Sequence, residues 1–209
     1  MQESIENKSP RRRIARRIGA AVMALAAVLT LGACRATGGG YLPPEGLGGV
    51  FQGRADFGFN FTCEIETAKK RAVIRGTITY HDYGPVTVPT VPPKTFPNGI
   101  KLQGTVDPLF IELDAPVPTN CADAGTDIFY DLFEGVAVAE FHGDYRSLDT
   151  TIPAKKRQGR FEVEVFDHGE PGSPAFSDGD HFDIHLLTGP YMGYNRAGYI
   201  EGGNIQVED

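Results

Sequence analysis

The sequence predicts an all-β protein, a single antiparallel β-sandwich or open barrel, and three observations lead to this prediction. Several runs alternate between apolar and polar residues, the pattern of strands with one buried face. The chain has 26 glycines and 15 prolines, which are enriched between these runs, where they favour turns. No window shows a sustained helical period, apart from an apolar segment near the N terminus that reads as a signal helix. Many short strands separated by turns are typical of sandwiches and open barrels.

The longest alternation extends from Phe51 to Ile65. Phe57, Phe59 and Phe61 share one side of it, which predicts a buried face, and Cys63 lies on the same side. A polar turn follows, and then a second alternating run, so that the two runs predict a β-hairpin. Further runs predict strands at 100–106, 109–113, 136–141, 161–166, 182–187 and 204–207.

The N-terminal segment has the layout of an export signal. A basic cluster from Arg11 to Arg17 precedes an apolar run of about 15 residues, too short to cross a ~30 Å hydrocarbon core comfortably. The run ends at Leu31-Gly32-Ala33-Cys34, which resembles the lipobox of a bacterial lipoprotein signal. We therefore expect residues 1–33 to be removed and lipid to be attached to Cys34, although an uncleaved anchor is an alternative.

The export route stays open between the general secretory and the twin-arginine pathway. The segment from Pro10 to Arg16 loosely resembles a twin-arginine signal, but arginines are common in any basic signal region. Either route predicts a location in the bacterial cell envelope, on the extracytoplasmic side of a membrane.

The charge balance limits the partners. The whole chain carries a formal net charge of −7 and residues 1–33 carry +4, which leaves −11 for the remainder. A domain of that charge repels phosphate backbones and anionic lipid surfaces, so we expect no nucleic-acid partner. Attachment to the membrane should depend on the lipid at Cys34, and the ligand or protein partner in the envelope is unknown.

The remaining sequence divides into a tether and one domain. Residues 34–50 contain a glycine triplet and two adjacent prolines without periodicity, which predicts a flexible tether. Residues 51–209 are long enough for one β-sandwich domain with its own core. With Cys34 modified, Cys63 and Cys121 form an even pair in an oxidising compartment, and this predicts a disulfide.

Spaced motifs resemble a known family. The segment Gly159–Gly172 looks like a strand that enters a D-x-G-E-P-G turn, and Asp180–Leu186 looks like the D-x-F-x-I-x-I strand after it. Gly202–Val207 resembles a closing G-G-x-I-x-V strand, and Gly53–Phe61 and Gly76–Asp82 resemble the opening hairpin. Together they resemble the post-COAP domain, a β-rich module of anchored or secreted bacterial proteins. The resemblance implies a β-rich fold and an extracytoplasmic location, and it assigns no catalytic residue.

Carboxylates and histidines suggest two metal hypotheses. Calcium could be bound by the acidic residues of one hairpin region, although solvated turn residues would give the same pattern; these are Asp167, Glu170, Asp178, Asp180 and Asp183. His181, Asp183 and His185 share one face of a strand, but the two histidines would be about 13 Å apart at 3.3 Å per residue. A transition-metal site would therefore need ligands from elsewhere, such as His81, His142 or His168. No cofactor is otherwise expected.

Three tyrosines before the last strand are the other candidates for binding. Tyr191, Tyr194 and Tyr199 could stack on a ligand if they are exposed, or pack across a hairpin if they are buried. The sequence contains neither a G-x-S-x-G nor an H-E-x-x-H motif. It thus favours a non-catalytic binding or structural role in the envelope. The alternatives are an envelope hydrolase or metal-dependent enzyme, and a carrier of an apolar ligand between the sheets.

Overall fold

A computed structural model describes residues 35–46, 49–107, 121, 129–133, 136–169 and 179–208, with the side chains of 45–50 and 129–133 left aside. The predicted signal peptide, Cys34, Glu170, Asp178 and the strand predicted at 109–113 lie outside these residues. No helix of the described part is long and apolar enough to cross a membrane.

The described residues are almost entirely β-structure, which confirms the predicted fold class. The strands are β1 (Arg35–Leu42), β2 (Glu45–Gly46), β3 (Gly49–Val50), β4 (Ala55–Glu66), β5 (Arg71–Asp82), β6 (Val86–Val88), β7 (Lys94–Phe96), β8 (Ile100–Val106), β9 (Phe129–Phe133), β10 (Val136–Ser147), β11 (Gln158–Asp167), β12 (His181–Leu186), β13 (Asn195–Tyr199) and β14 (Gly202–Glu208).

One antiparallel sheet contains most of these strands. Their order across the sheet is β13-β12-β11-β10-β8-β5-β4-β1-β14, and β9 pairs with β10 as well. The hairpins β2–β3 and β6–β7 are separate two-stranded sheets. The second of these lies in the proline-rich segment, where prolines prevent a central strand because they lack the N–H that a ladder requires.

The main sheet curls, so that side chains on the inner face of strands far apart in the sheet contact each other. Phe57 on β4 stacks on Phe182 of β12, with ring centroids 3.9 Å apart, although four strands separate β4 from β12 in the sheet. Phe61 on β4 lies equally close to Phe141 on β10. All four rings are buried, so the apolar side of each alternating strand forms one common core.

Two aspartates link the end of β11 and the start of β12 to the edge strand β14. The Oδ2 atom of Asp167 accepts a hydrogen bond from the N–H of Val207 (2.9 Å). The Oδ2 atom of buried Asp180 accepts one from the N–H of Ile205 (2.7 Å). Side chains thus satisfy edge N–H groups of β14 that no strand pairs, and they hold the curled sheet together.

The prediction of a tether at residues 34–50 is wrong for most of this segment. Residues Arg35–Leu42 form β1, which pairs with β4 on one side and with β14 on the other. The glycines serve close packing: a Cβ atom on Gly38 would lie 2.7 Å from the ring of Phe59. The absence of apolar side chains in the triplet therefore reflects the bulk of the neighbouring strand, and not flexibility.

Cys63 and Cys121 form the disulfide pair that the cysteine count predicts. Their Cα atoms are 5.7 Å apart, within the usual range for a disulfide. Cys63 is buried on the inner face of β4, as its place in the alternation predicts.

Candidate functional site

The outer face of β10, β11 and β12 carries a compact set of titratable side chains. Because the side chains alternate along each strand, the residues between the buried positions of these strands all point away from the core. These side chains form two rows, each made of residues that pair across the three strands. In the first row, Glu140 lies opposite Glu164, and Glu164 lies opposite Asp183. Like charges directly opposite each other destabilise a sheet, so this row has an electrostatic cost.

The second row alternates imidazole and carboxylate. His142 on β10 lies opposite Glu162 on β11, and Glu162 lies opposite His185 on β12. We call the six side chains of the two rows the outer grid; they are Glu140, His142, Glu162, Glu164, Asp183 and His185. Each of them is only partly exposed to solvent.

Three members of the outer grid converge. One ligand atom each of Glu140, His142 and Glu162 lies within 4.8 Å of the others. The Nε2 atom of His142 is 2.8 Å from a carboxylate oxygen of Glu140, and only 11% of the His142 side chain is exposed. Chemically, one imidazole nitrogen and two carboxylates at this spacing are a set that can bind a divalent metal ion.

Asp183 is the member of the outer grid whose carboxyl group is most affected by its surroundings. Burial, together with the charges of Glu164 and Glu162, raises the pKa of its carboxyl group to about 6, although the charge of His185 acts in the opposite direction. Its Oδ1 atom is inaccessible to solvent and has no hydrogen-bond partner among the described residues.

An open groove of about 780 Å³ continues along the same outer face, where β8, β10 and β11 lie side by side. Neutral polar side chains contribute to its lining, namely Gln103, Thr105, Gln158 and Thr188. Its charged side chains are Asp144, Arg146, Arg157 and Arg160, so the groove is locally cationic on a domain that is strongly acidic.

The three arginines of the groove differ in what they bind. Arg157 donates to the backbone carbonyls of Ile152 and Thr150, and Arg160 is 3.4 Å from a carboxylate oxygen of Asp107. Arg146 is exposed, and its side chain forms no hydrogen bond or ion pair with the part of the chain that the structure describes. Its guanidinium group is therefore available to a ligand.

Of the residues of the proposed calcium site, the structure describes Asp167, Asp180 and Asp183, and only Asp183 points away from the other two. Asp167 and Asp180 also accept hydrogen bonds from the turn between their strands, from the N–H groups of Gly169 (2.8 Å) and His168 (3.1 Å). Together with their bonds to β14, these contacts give both carboxylates a structural role. Asp183 points to the outer grid, while Glu170 and Asp178 lie outside the described residues. The calcium site stays a prediction.

Two of the three candidate tyrosines are buried, so the hypothesis of exposed binding aromatics is wrong for them. The Tyr191 hydroxyl is 2.6 Å from the hydroxyl of Ser147, and the ring packs edge-on against Phe96. The Tyr194 hydroxyl donates to Asp82 (2.7 Å). Each hydroxyl has a buried polar partner, which explains how these rings enter the core.

Tyr199 is 38% exposed, and its ring lies edge-on to His181, with centroids 5.4 Å apart. Both ring nitrogens of His181 are inaccessible to solvent and lack a hydrogen-bond partner among the described residues. Burial lowers the pKa of His181, and the charge of His168 lowers it further. His181 is therefore held as a neutral ring between aromatic neighbours, and no metal ligand lies opposite it on the adjacent strands, where Phe166 and Tyr199 stand.

A buried ion pair joins three parts of the curled sheet. Arg196 on β13 donates from Nη1 to Asp82 at the end of β5 (2.7 Å), and both side chains are almost completely buried. The Nη2 atom of Arg196 donates to the carbonyls of Pro43 (2.6 Å) and Gly53 (2.9 Å). The guanidinium also lies 4.2 Å from the centre of the Phe51 ring. This network fixes the backbone at Pro43 and Gly53, and the two buried side chains are not accessible to a ligand.

The aromatic rings that a carrier would use to line a cavity are packed against each other. Phe59 lies between Phe57 and Phe61, and Phe57 and Phe61 contact rings from β12 and β10. These ring contacts lie on the inner face beside β4, where a carrier would need space, and the hypothesis of an apolar-ligand carrier stays a prediction.

Comparisons with models of protein families, with curated proteins and with solved structures found no match for this chain. The resemblance to the post-COAP domain therefore stays a prediction. The sequence reasoning missed Glu140, Glu162, Glu164 and Arg146. The available signal was the repeated spacing of acidic and histidine residues two apart in three strands, but their convergence depends on the register.

Proposed function

We propose that this chain is an exported, lipid-anchored protein of the bacterial cell envelope whose β domain binds a small anionic ligand in a non-catalytic role. The observation that carries the binding role is the exposed guanidinium of Arg146 in the groove across β8, β10 and β11. The location follows from the N-terminal signal and from Cys34.

The charge of the groove supports an anionic ligand of small size. The domain as a whole repels anions, so a long polyanion would gain little from one cationic groove. A single carboxylate or phosphate can instead form two parallel hydrogen bonds with a planar guanidinium such as that of Arg146.

The neutral lining suggests what the rest of the ligand looks like. The amides of Gln103 and Gln158, which flank Arg146 on the adjacent strands, can both donate and accept hydrogen bonds. A volume of about 780 Å³ suits a ligand of a few residues or a small metabolite. The ligand is therefore expected to be a small polar molecule that bears an oxyanion.

Substitution of Arg146 by glutamine tests the binding role. The probes are a short peptide with one glutamate, glycerol phosphate, and the same peptide with glutamine in place of glutamate. We expect the full-length chain in detergent to bind at least one anionic probe, and Arg146→Gln to weaken that binding about tenfold or more, since a hydrogen bond to a charged group contributes about 1.5–3 kcal/mol. Isothermal titration calorimetry measures this change.

Two variants control this experiment. Arg75→Gln removes an exposed arginine of β5 that pairs with Glu64, and should leave the affinity unchanged. Asp144→Asn removes a carboxylate from the groove and should strengthen binding of the anion. Equal affinity of wild type and Arg146→Gln, or binding of neither anionic probe, would contradict the proposed role. A preference between the two anions identifies the ligand as a carboxylate or a phosphate.

Substitution of Cys34 by serine tests the anchor. In the native host, we expect the wild-type chain to fractionate with membranes and to have an intact mass that includes lipid and lacks residues 1–33. Cys34→Ser should abolish the added lipid mass and leave residues 1–33 attached, because the expected cleavage site depends on that cysteine. If the mass and the membrane association are the same in both proteins, no lipid is attached at this residue.

A further inference from the structure

We infer that Glu140, His142 and Glu162 on the outer face of β10 and β11 form a binding site for a divalent transition-metal ion. This site goes beyond the proposed anion-binding role and does not depend on it, because the metal is tested without any organic ligand.

The geometry of the sheet brings the three ligands together. Glu140 and His142 are two residues apart on β10, and Glu162 lies directly opposite His142 on β11. Paired residues in neighbouring antiparallel strands have Cβ atoms about 5 Å apart, a distance that two side chains can bridge to one ion. The three ligand atoms already lie within 4.8 Å of one another, so convergence on an ion requires only small rotations.

The imidazole distinguishes this site from an ordinary acidic surface. His142 is almost buried, and its Nε2 atom points to a carboxylate oxygen of Glu140 at 2.8 Å. An imidazole fixed beside two carboxylates suits transition metals such as Zn²⁺, whereas Ca²⁺ and Mg²⁺ prefer oxygen ligands alone. Zn²⁺ is accordingly the probe of choice.

The surrounding charges also favour a cation. The first row of the outer grid places the carboxylate of Glu164 between those of Glu140 and Asp183. A divalent ion at the three ligands would offset the repulsion within this row. His185 of β12 lies opposite Glu162, next to the three ligands on the same face of the sheet.

The site adjoins the groove along one strand. His142 and Arg146 are four residues apart on the same face of β10, which corresponds to about 13 Å. Three protein ligands leave further positions of a metal ion open. An anion bound at Arg146 would therefore reach the metal if it is about 13 Å long or longer.

Zinc titration of the full-length chain tests the inference. After removal of metals with a chelator, we expect calorimetry to show one Zn²⁺ bound per chain. His142→Gln and Glu162→Gln should each weaken binding about 100-fold, since substitutions of residues that merely support metal ligands already cost 10–100-fold. With Co²⁺ as a second probe, the visible absorption of the bound ion should be altered or lost in His142→Gln.

Matched controls remove the same chemical groups elsewhere. Glu64→Gln changes an exposed glutamate of β4, and His81→Gln changes a histidine of β5 that stacks on Tyr83. Both should bind Zn²⁺ like the wild type. A zinc-induced rise in melting temperature should occur in the wild type and in both controls, and be absent in Glu162→Gln, which circular dichroism can verify to be folded.

Two results would overturn the inference. One is equal Zn²⁺ affinity in the wild type, His142→Gln and Glu162→Gln, which would indicate adventitious binding. The other is binding of Ca²⁺ as tight as that of Zn²⁺ and unaffected by His142→Gln, which would indicate a site made of oxygen ligands alone.

Discussion

Arg196→Met is expected to lower the free energy of unfolding by about 3–5 kcal/mol, the usual effect of removing one partner from a buried ion pair. The substitution would leave the carboxylate of Asp82 buried with one cationic partner fewer, and it would leave the carbonyls of Pro43 and Gly53 without their donor. Because Arg196 links β13 to β5 and to the end of β1, the loss should affect the whole curled sheet. Urea unfolding of the full-length chain measures it.

A milder variant and an exposed control make this prediction specific. Asp82→Asn keeps an acceptor for the N–H of Gly84 but removes the charge, and should cost at least about 2 kcal/mol. Arg35→Met breaks an exposed ion pair with Glu208, and should cost less than about 1 kcal/mol. If Arg196→Met proved as stable as Arg35→Met, the buried network would have no role in closing the sheet.

Replacing Cys63 and Cys121 by alanine is expected to destabilise the protein by about 4 kcal/mol. The two cysteines are 58 residues apart in the sequence, and a crosslink across a loop of this length restricts the unfolded chain by about that amount. Cys63 also lies in the core, so the alanine variant adds the cost of a small cavity. Urea unfolding with and without dithiothreitol measures both contributions.

The reductant separates the crosslink from the cavity. Dithiothreitol should destabilise the wild type and should have no effect on the double variant, which contains no disulfide. Wild-type protein whose stability does not change on complete reduction would show that the crosslink contributes nothing.

The parts of the fold that depend on local pattern could be predicted from the sequence. The hairpin of β4 and β5 was predicted because period-two alternation is visible within each strand. β1 was missed because its glycines carry no apolar pattern; their purpose is apparent only when the ring of Phe59 is seen beside Gly38. The burial of Tyr191 and Tyr194 could not be predicted because it depends on hydroxyl partners on distant strands.

The candidate sites depend on register, which the sequence does not contain. Alternation alone places His181, Asp183 and His185 on one face, and the structure confirms this. It does not say that Glu162 lies opposite His185, or that His142 lies opposite Glu162. A shift of one residue between β10 and β11 would move every one of these side chains to another neighbour and disperse the outer grid.

The position of β1 determines how a lipid at Cys34 would hold this protein. Arg35, the next residue, is already the first of β1 and pairs with Thr62 and Glu208. Consecutive Cα atoms are about 3.8 Å apart, so if Cys34 is acylated, no flexible linker separates the bilayer from the domain. The domain would lie directly against the bilayer, with the end of the sheet that contains Arg35 facing the headgroups. It could contact only molecules that lie no farther from the bilayer than the domain itself extends. Its ligand would therefore have to be found at the membrane surface, or be delivered there by diffusion.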